Sequence, residues 1–201
     1  MELSLKQYRN IDLFIMLLML AAAEFIITKA ATVWFPSELY VLSPTVAVMC
    51  IVMMRWGPYA AVHAIGGGLA LCIASGASVQ QFVMYCVGNC FGLAALLLFK
   101  AWGKEKVKAK IVRTILFVVT AFCAVQIGRW AVSLFFGAEP GSIVRLFASD
   151  SLSLAFDVIT VLIARRIDGL FEDQVSYLVR TQAERRREQL SDEGDTEYND
   201  M

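Results

Sequence analysis

An arginine stands inside a stretch that is otherwise free of charge. Arg129 is the one charged residue in the 23 residues of 114–136, so a guanidinium is placed at the depth of a membrane. The next apolar run opens after Asp150 and carries a carboxylate of its own, Asp157. Arg129 lies seven residues before Phe136, and Asp157 lies seven after Asp150. Two antiparallel helices joined by a 137–150 loop would bring both side chains roughly 10 Å below one surface, at about 1.5 Å per residue. A charge in lipid costs at least about 2.5 kcal/mol, so such residues face a partner or a watery cavity. The spacing predicts that Arg129 and Asp157 serve each other.

Other polar residues fall at a similar depth. Glu24 and Lys29 lie in the first apolar run, Asn89 and Tyr85 in the fourth, and Gln126 one turn before Arg129. Each needs a partner where no water is available. Together Arg129, Asp157, Asn89, Glu24, Gln126, Tyr85 and Trp130 predict an outward-facing pocket for a small polar solute, lidded by the 36–40 and 137–150 loops. An arginine and an aspartate in one pocket suit a ligand with both anionic and donor groups. The plainer reading of the Arg129–Asp157 pair is a salt bridge that fixes helix register. For Trp34, Tyr40, Tyr85 and Trp130 it is a belt at the membrane interface.

The elements that position these residues follow from hydropathy. The 201 residues are 58% hydrophobic and only 18% charged, with mean hydropathy +0.62. A soluble domain carries about a quarter charged residues, so composition predicts an all-α integral membrane protein. Apolar runs at 11–35, 39–54, 59–74, 82–99, 111–136 and 151–163 predict six transmembrane helices, the second short and broken by Pro44. The first run is too long for a cleavable leader. With both termini in the cytoplasm, 15 of the 18 Lys and Arg fall on the inner side and two, Lys29 and Arg145, on the outer. That is the positive-inside pattern, and it predicts a multi-pass protein of the bacterial plasma membrane.

The domain organisation expected is a six-helix membrane domain over 1–163, an amphipathic and charged cytoplasmic helix over 164–190, and a disordered acidic tail over 191–201. Ile167, Leu170, Phe171, Val175, Leu178 and Val179 recur at helical spacing, which predicts an uninterrupted amphipathic continuation of the last span. The lysines of 100–110 read as a topology determinant, or else as a docking surface. Ala60, Ala64 and Gly68 repeat every four residues, as do Gly88 and Gly92. Such rows let helix backbones approach closely, either within this chain or against a partner helix. His63, the single histidine, reads as a packed core residue. The five cysteines read as small buried hydrophobes. No motif for a nucleotide, a metal, another cofactor or a catalytic triad is found, and nothing points to enzymatic chemistry or to nucleic acid.

Two stretches carry a resemblance. Arg55-Trp56-Gly57-Pro58-Tyr59-Ala60-Ala61 resembles the third-helix entry, and Tyr85-Cys86-Val87-Gly88-Asn89 the fourth-helix stretch, of the substrate-binding (S) components of energy-coupling factor transporters. The likeness covers residues 11 to about 163. It implies capture of a micronutrient, a vitamin or its precursor, from outside. It also implies docking to a shared transmembrane coupling subunit, with a pair of ATPases supplying energy. Asn89, Arg129, Asp157 and Glu24 would then be ligand contacts. The small pair common on that family's first helix is missing around Ala21-Ala22-Ala23, and Ala60, Ala64 and Gly68 would take over its partner-helix role. The alternative is a membrane scaffold similar to the small multi-span proteins of the cell-elongation machinery, with structural intramembrane charges.

Overall fold

The computed structural model describes residues 4–34 and 42–199. The 36–40 lid and Tyr40 lie outside the described residues. Among those described there is no strand. The helices are α1 (Leu5–Trp34), α2 (Thr45–Trp56), α3 (Ala61–Ser75), α4 (Val79–Cys90), α5 (Leu97–Trp102), α6 (Lys104–Ala109), α7 (Ile111–Leu134), α8 (Ser142–Ser149), α9 (Ser151–Ala164) and α10 (Gln174–Asn199). Short 3-10 turns join α2 to α3 and α4 to α5. Four helical stretches are long and apolar enough to cross a membrane, or five when α8 and α9, bent by 46°, count as one. The architecture is that of an all-α protein compatible with multiple membrane passages.

One of those stretches, Thr45–Ser75, is not straight. A continuous helix would separate Thr45 from Gly67 by about 33 Å, yet the Thr45 side chain fills the space where a Gly67 Cβ would go. The chain reverses at Gly57, whose φ of +63° and ψ of −124° suit glycine alone. Helix α2 is therefore antiparallel to α1: Arg55 meets Asp12 near the start of α1, and Thr45 meets Glu24 twelve residues further along it. Helix α3 runs parallel to α1, with Arg9 on Tyr59 and Leu17 on Gly66. Helix α4 returns, aligning Tyr85 with Gly68 and Asn89 with Ala64. Helix α7 rises beside α4, and α9 descends alongside α2.

Burial explains the two kinds of apolar helix. In α2, 11 of 12 residues are buried, so it is hydrophobic on every side because it is enclosed on every side. Its Met49, Val52, Met53 and Met54 form the core with Phe117, Phe122, Val125 and Val161. In α1 only Leu20 and Glu24 are buried, and Phe14, Leu18, Met19 and Ile26 face outward. That apolar exterior is what a lipid-facing helix needs.

The end opposite the polar cluster is closed by a turn where an uninterrupted helix is expected. After Ala164 the chain leaves the helix and turns at Gly169 (φ +71°) before α10. Phe171 is fully buried beneath it, so the apolar spacing of 167–179 records a buried plug followed by a helix, not one continuous stripe. Arg55 binds both Asp12 oxygens at 2.7 and 2.9 Å and donates to the Gly169 and Leu170 carbonyls. Lys108 pairs with Glu172 at 2.6 Å and Lys104 with Asp173, so two lysines of the 100–110 segment are committed within the chain. Helix α10 continues through 191–199, where composition predicts no ordered structure.

Burial opposes ionisation of Glu172 and Asp173, but Lys108 with Arg180, and Lys104 with Ser176, outweigh it; both carboxyls titrate below their ordinary range. A carboxyl lowered by folding stabilises the folded form above its unfolded pKa, and that contribution is lost as pH falls through the lowered value. Amide exchange in the 165–175 turn, corrected for intrinsic rates, should stay flat from about pH 8 to pH 5 and rise several-fold below about pH 4. Lys104→Ala with Lys108→Ala should give the faster exchange already at neutral pH. Equal protection across the acid range would show that the Lys104–Asp173 and Lys108–Glu172 pairs do not hold the turn.

Candidate functional site: a buried polar centre

Helix α7 contributes Gln126 and Arg129, three residues apart and so on one face. Helix α4 contributes Tyr85 and Asn89, four apart. The two helices touch where side chains are absent: a Cβ on Gly128 would lie 2.5 Å from the Gly88 carbonyl oxygen, and one on Gly88 2.7 Å from Arg129 Cα. This approach lets Arg129 Nε donate to Asn89 Oδ1 at 2.8 Å, while Asn89 Nδ2 donates to the Ala64 carbonyl at 3.1 Å. The guanidinium lies 4.6 Å above the Tyr85 ring.

The partner of Arg129 is Asp150, not Asp157. Arg129 and Asp150 form an ion pair, each no more than 3% exposed, and Gln126 Nε2 donates to the same carboxylate oxygen at 2.8 Å. The expected pairing fails because Asp150 is not at the surface. Residues 142–149 fold as α8, which packs against α7 with Phe147 on Phe122, and the bend into α9 leaves Asp150 buried at the level of Arg129. Asp157 then lies two turns deeper. Nε is thus engaged by Asn89 and one terminal nitrogen by Asp150, which leaves the second terminal nitrogen as the remaining donor of Arg129.

Asp157 has a different task. Its Oδ1 accepts from the Ala47 backbone N–H at 3.0 Å, in the first turn of α2. Those N–H groups have no partner within their helix, and a carboxylate there suits both the hydrogen bond and the helix dipole. Glu24 Oε1 accepts from the Ser43 and Thr45 hydroxyls, and Ser43 N–H donates to Ser153 Oγ at 3.0 Å. Side chains from α1 and α9 thus hold the start of α2. One oxygen of each carboxylate, Glu24 Oε2 and Asp157 Oδ2, is buried with no hydrogen-bond partner among the described residues, as is Gln126 Oε1. All three orphaned atoms belong to acceptor groups.

Five expected residues therefore converge in one interior with Arg129: Asp157, Asn89, Glu24, Gln126 and Tyr85. Two do not. Trp130 donates from Nε1 to the Pro140 carbonyl at 3.0 Å, in the loop before α8, and Lys29 is exposed with its ammonium 5.8 Å from the Phe25 ring. The row Ala60, Ala64 and Gly68 is buried inside the chain, with Gly68 against the Tyr85 backbone and Ala64 bonded by Asn89. It packs α3 on α4 and offers no face to a partner helix. His63 is fully buried, its ring facing the Leu13 and Tyr59 backbone without reaching hydrogen-bond geometry.

Sequence reasoning missed Asp150, Ser43, Thr45 and Ser153. Asp150 had a signal, a carboxylate next to an apolar run; the hydroxyl residues had none, since Ser and Thr are unremarkable at helix starts.

Comparison with family models, with curated proteins and with solved structures finds no match to this chain. Its function rests on geometry.

Proposed function

We propose that this chain is a solute-binding membrane protein whose ligand sits at the polar centre, in the role of the substrate-capturing subunit of a multi-component importer. The observation that carries this reading is the set of three buried acceptor oxygens without partners, on α1, α7 and α9. Leaving such groups unsatisfied costs about 1–3 kcal/mol each, which a ligand rich in donors would recover. The ligand class is accordingly a small molecule with an amine, amide or ring N–H.

In this reading the chain crosses the bacterial plasma membrane six times, on α1, α2, α3, α4 with α5, α7, and α8 with α9, with both ends in the cytoplasm. The distribution of Lys and Arg supports that orientation, and the alternating helix directions support the count. A coupling subunit and ATPases would supply the energy, as the resemblance to energy-coupling factor S components implies. A second reading, a cell-elongation scaffold, draws on the Arg129–Asp150 pair as a purely structural tie.

Native mass spectrometry of the protein from mild detergent should reveal a retained small molecule, and adding it back should raise the melting temperature. Glu24→Gln replaces an acceptor by a donor and should weaken binding roughly 10- to 100-fold. A protein that carries no small molecule and responds to no amine- or amide-bearing micronutrient would leave the scaffold standing.

A further inference from the structure

A cavity lies at the end of the bundle away from the polar centre, roughly 770 Å3 in volume, between the start of α1, the α2–α3 turn and the α4–α5 junction. It plays no part in the solute site, and its walls are of two kinds. Leu93, Leu96, Leu97 and Phe99 make one side apolar, with Leu5 and Trp56 opposite. Lys6, Arg9, Arg55, Lys100 and Lys104 bring five cations against one carboxylate, Asp173.

Two of those cations are already spent: Arg55 is held by Asp12 and Lys104 by Asp173. Lys6 and Lys100 are exposed, with no hydrogen bond or ion pair among the described residues. Arg9 lies 4.1 Å over the Tyr59 ring and donates to its hydroxyl at 2.8 Å, so its side chain's one hydrogen-bond partner among the described residues is neutral. Its Nε is buried with no acceptor. Three uncompensated positive charges and an orphaned donor thus rim an apolar wall where the helices end. A free anion would use the rim and ignore the wall; an alkyl chain would do the reverse. An amphiphile with an anionic head uses both.

We propose that this cavity is a binding site for one anionic phospholipid of the adjoining leaflet. The phosphate lies among Lys6, Arg9 and Lys100, and the acyl chain runs along Leu93, Leu96 and Leu97. Basic pockets between membrane helices hold such headgroups, and each basic residue near the surface adds to the attraction.

The full chain in nanodiscs of phosphatidylcholine, with and without phosphatidylglycerol, tests this. Phosphatidylglycerol should raise the melting temperature, and native mass spectrometry should find one lipid retained. Lys6→Gln with Lys100→Gln should reduce retention by ~30-fold without changing stability in phosphatidylcholine. Lys106→Gln with Lys110→Gln, exposed lysines outside the cavity, should change neither. Ala94→Trp, which puts an indole beside Leu93 and Leu97 in the path of the acyl chain and keeps every charge, should also abolish the shift. The proposal is overturned if phosphatidylglycerol acts no differently from phosphatidylcholine. It is equally overturned if the exposed-lysine pair loses the effect as fully, if a stably folded Ala94→Trp keeps it, or if inorganic phosphate alone reproduces it.

Discussion

Asp150→Asn is expected to destabilise this protein severely, and Asp157→Asn hardly at all. The first change leaves the Arg129 guanidinium, 2% exposed, without the negative charge that pairs with it. Removing one member of a buried pair costs about 3–5 kcal/mol, because the other remains desolvated and uncompensated. The second keeps an oxygen able to accept from Ala47 N–H, so the loss is about 1 kcal/mol or less. Thermal unfolding in detergent separates the two. The double variant Arg129→Met with Asp150→Leu removes both charges and should recover most of the stability, since apolar replacement of a buried pair is often neutral. Equal sensitivity at 150 and 157 would show that Arg129 does not depend on Asp150 in the way the geometry requires.

A graded response is expected along the glycines. In Gly128→Ala the new methyl meets the Gly88 carbonyl oxygen at 2.5 Å, and in Gly88→Ala it meets Arg129 backbone at 2.7 Å. Backbone cannot swing aside, so α4 and α7 must part, at a cost at or above the usual 1–3 kcal/mol of overpacking. Parting them also draws Asn89 away from Arg129. At Gly92 the obstacles are the ends of Val125 and Met49, which can rotate, and Gly92→Ala should cost about 1 kcal/mol. Gly141 has nothing within 4 Å and a φ of −69°, so Gly141→Ala should be silent. The four melting temperatures should rank accordingly, and a uniform small effect would mean that the α4–α7 contact is looser than described.

The helical class and the convergence of polar side chains were legible because both are written in spacing. Hydropathy marks where helices run, and depth follows from counting residues along them. Pairing was not legible. Counting from Asp150 assumes that it marks the surface, and nothing in Ser142–Ser149 taken alone says that those eight residues form a helix against α7 that carries Asp150 inward. The C-terminal stripe misled for a related reason. Leu170 and Phe171 keep helical spacing with Val175, but Gly169 turns the chain, and the apolar residues bury in a plug. The small-residue rows were readable as close packing, though not as to which helix they pack against.

The short α2 bears on how the molecule is built. Twelve residues give about 18 Å of helix, well under the ~30 Å of a hydrocarbon core, and its first turn is satisfied by a carboxylate 110 positions later in the chain. During synthesis at roughly 5–20 residues per second, that partner emerges on the order of ten seconds after α2 does. Until then the start of α2 is held from α1 alone, by Glu24 on Ser43 and Thr45, with no side chain from α9 beside it. Nascent chains halted before residue 157 should therefore hold this segment loosely, accessible to water-borne thiol reagents at Cys50, and close it only once α9 has left the ribosome.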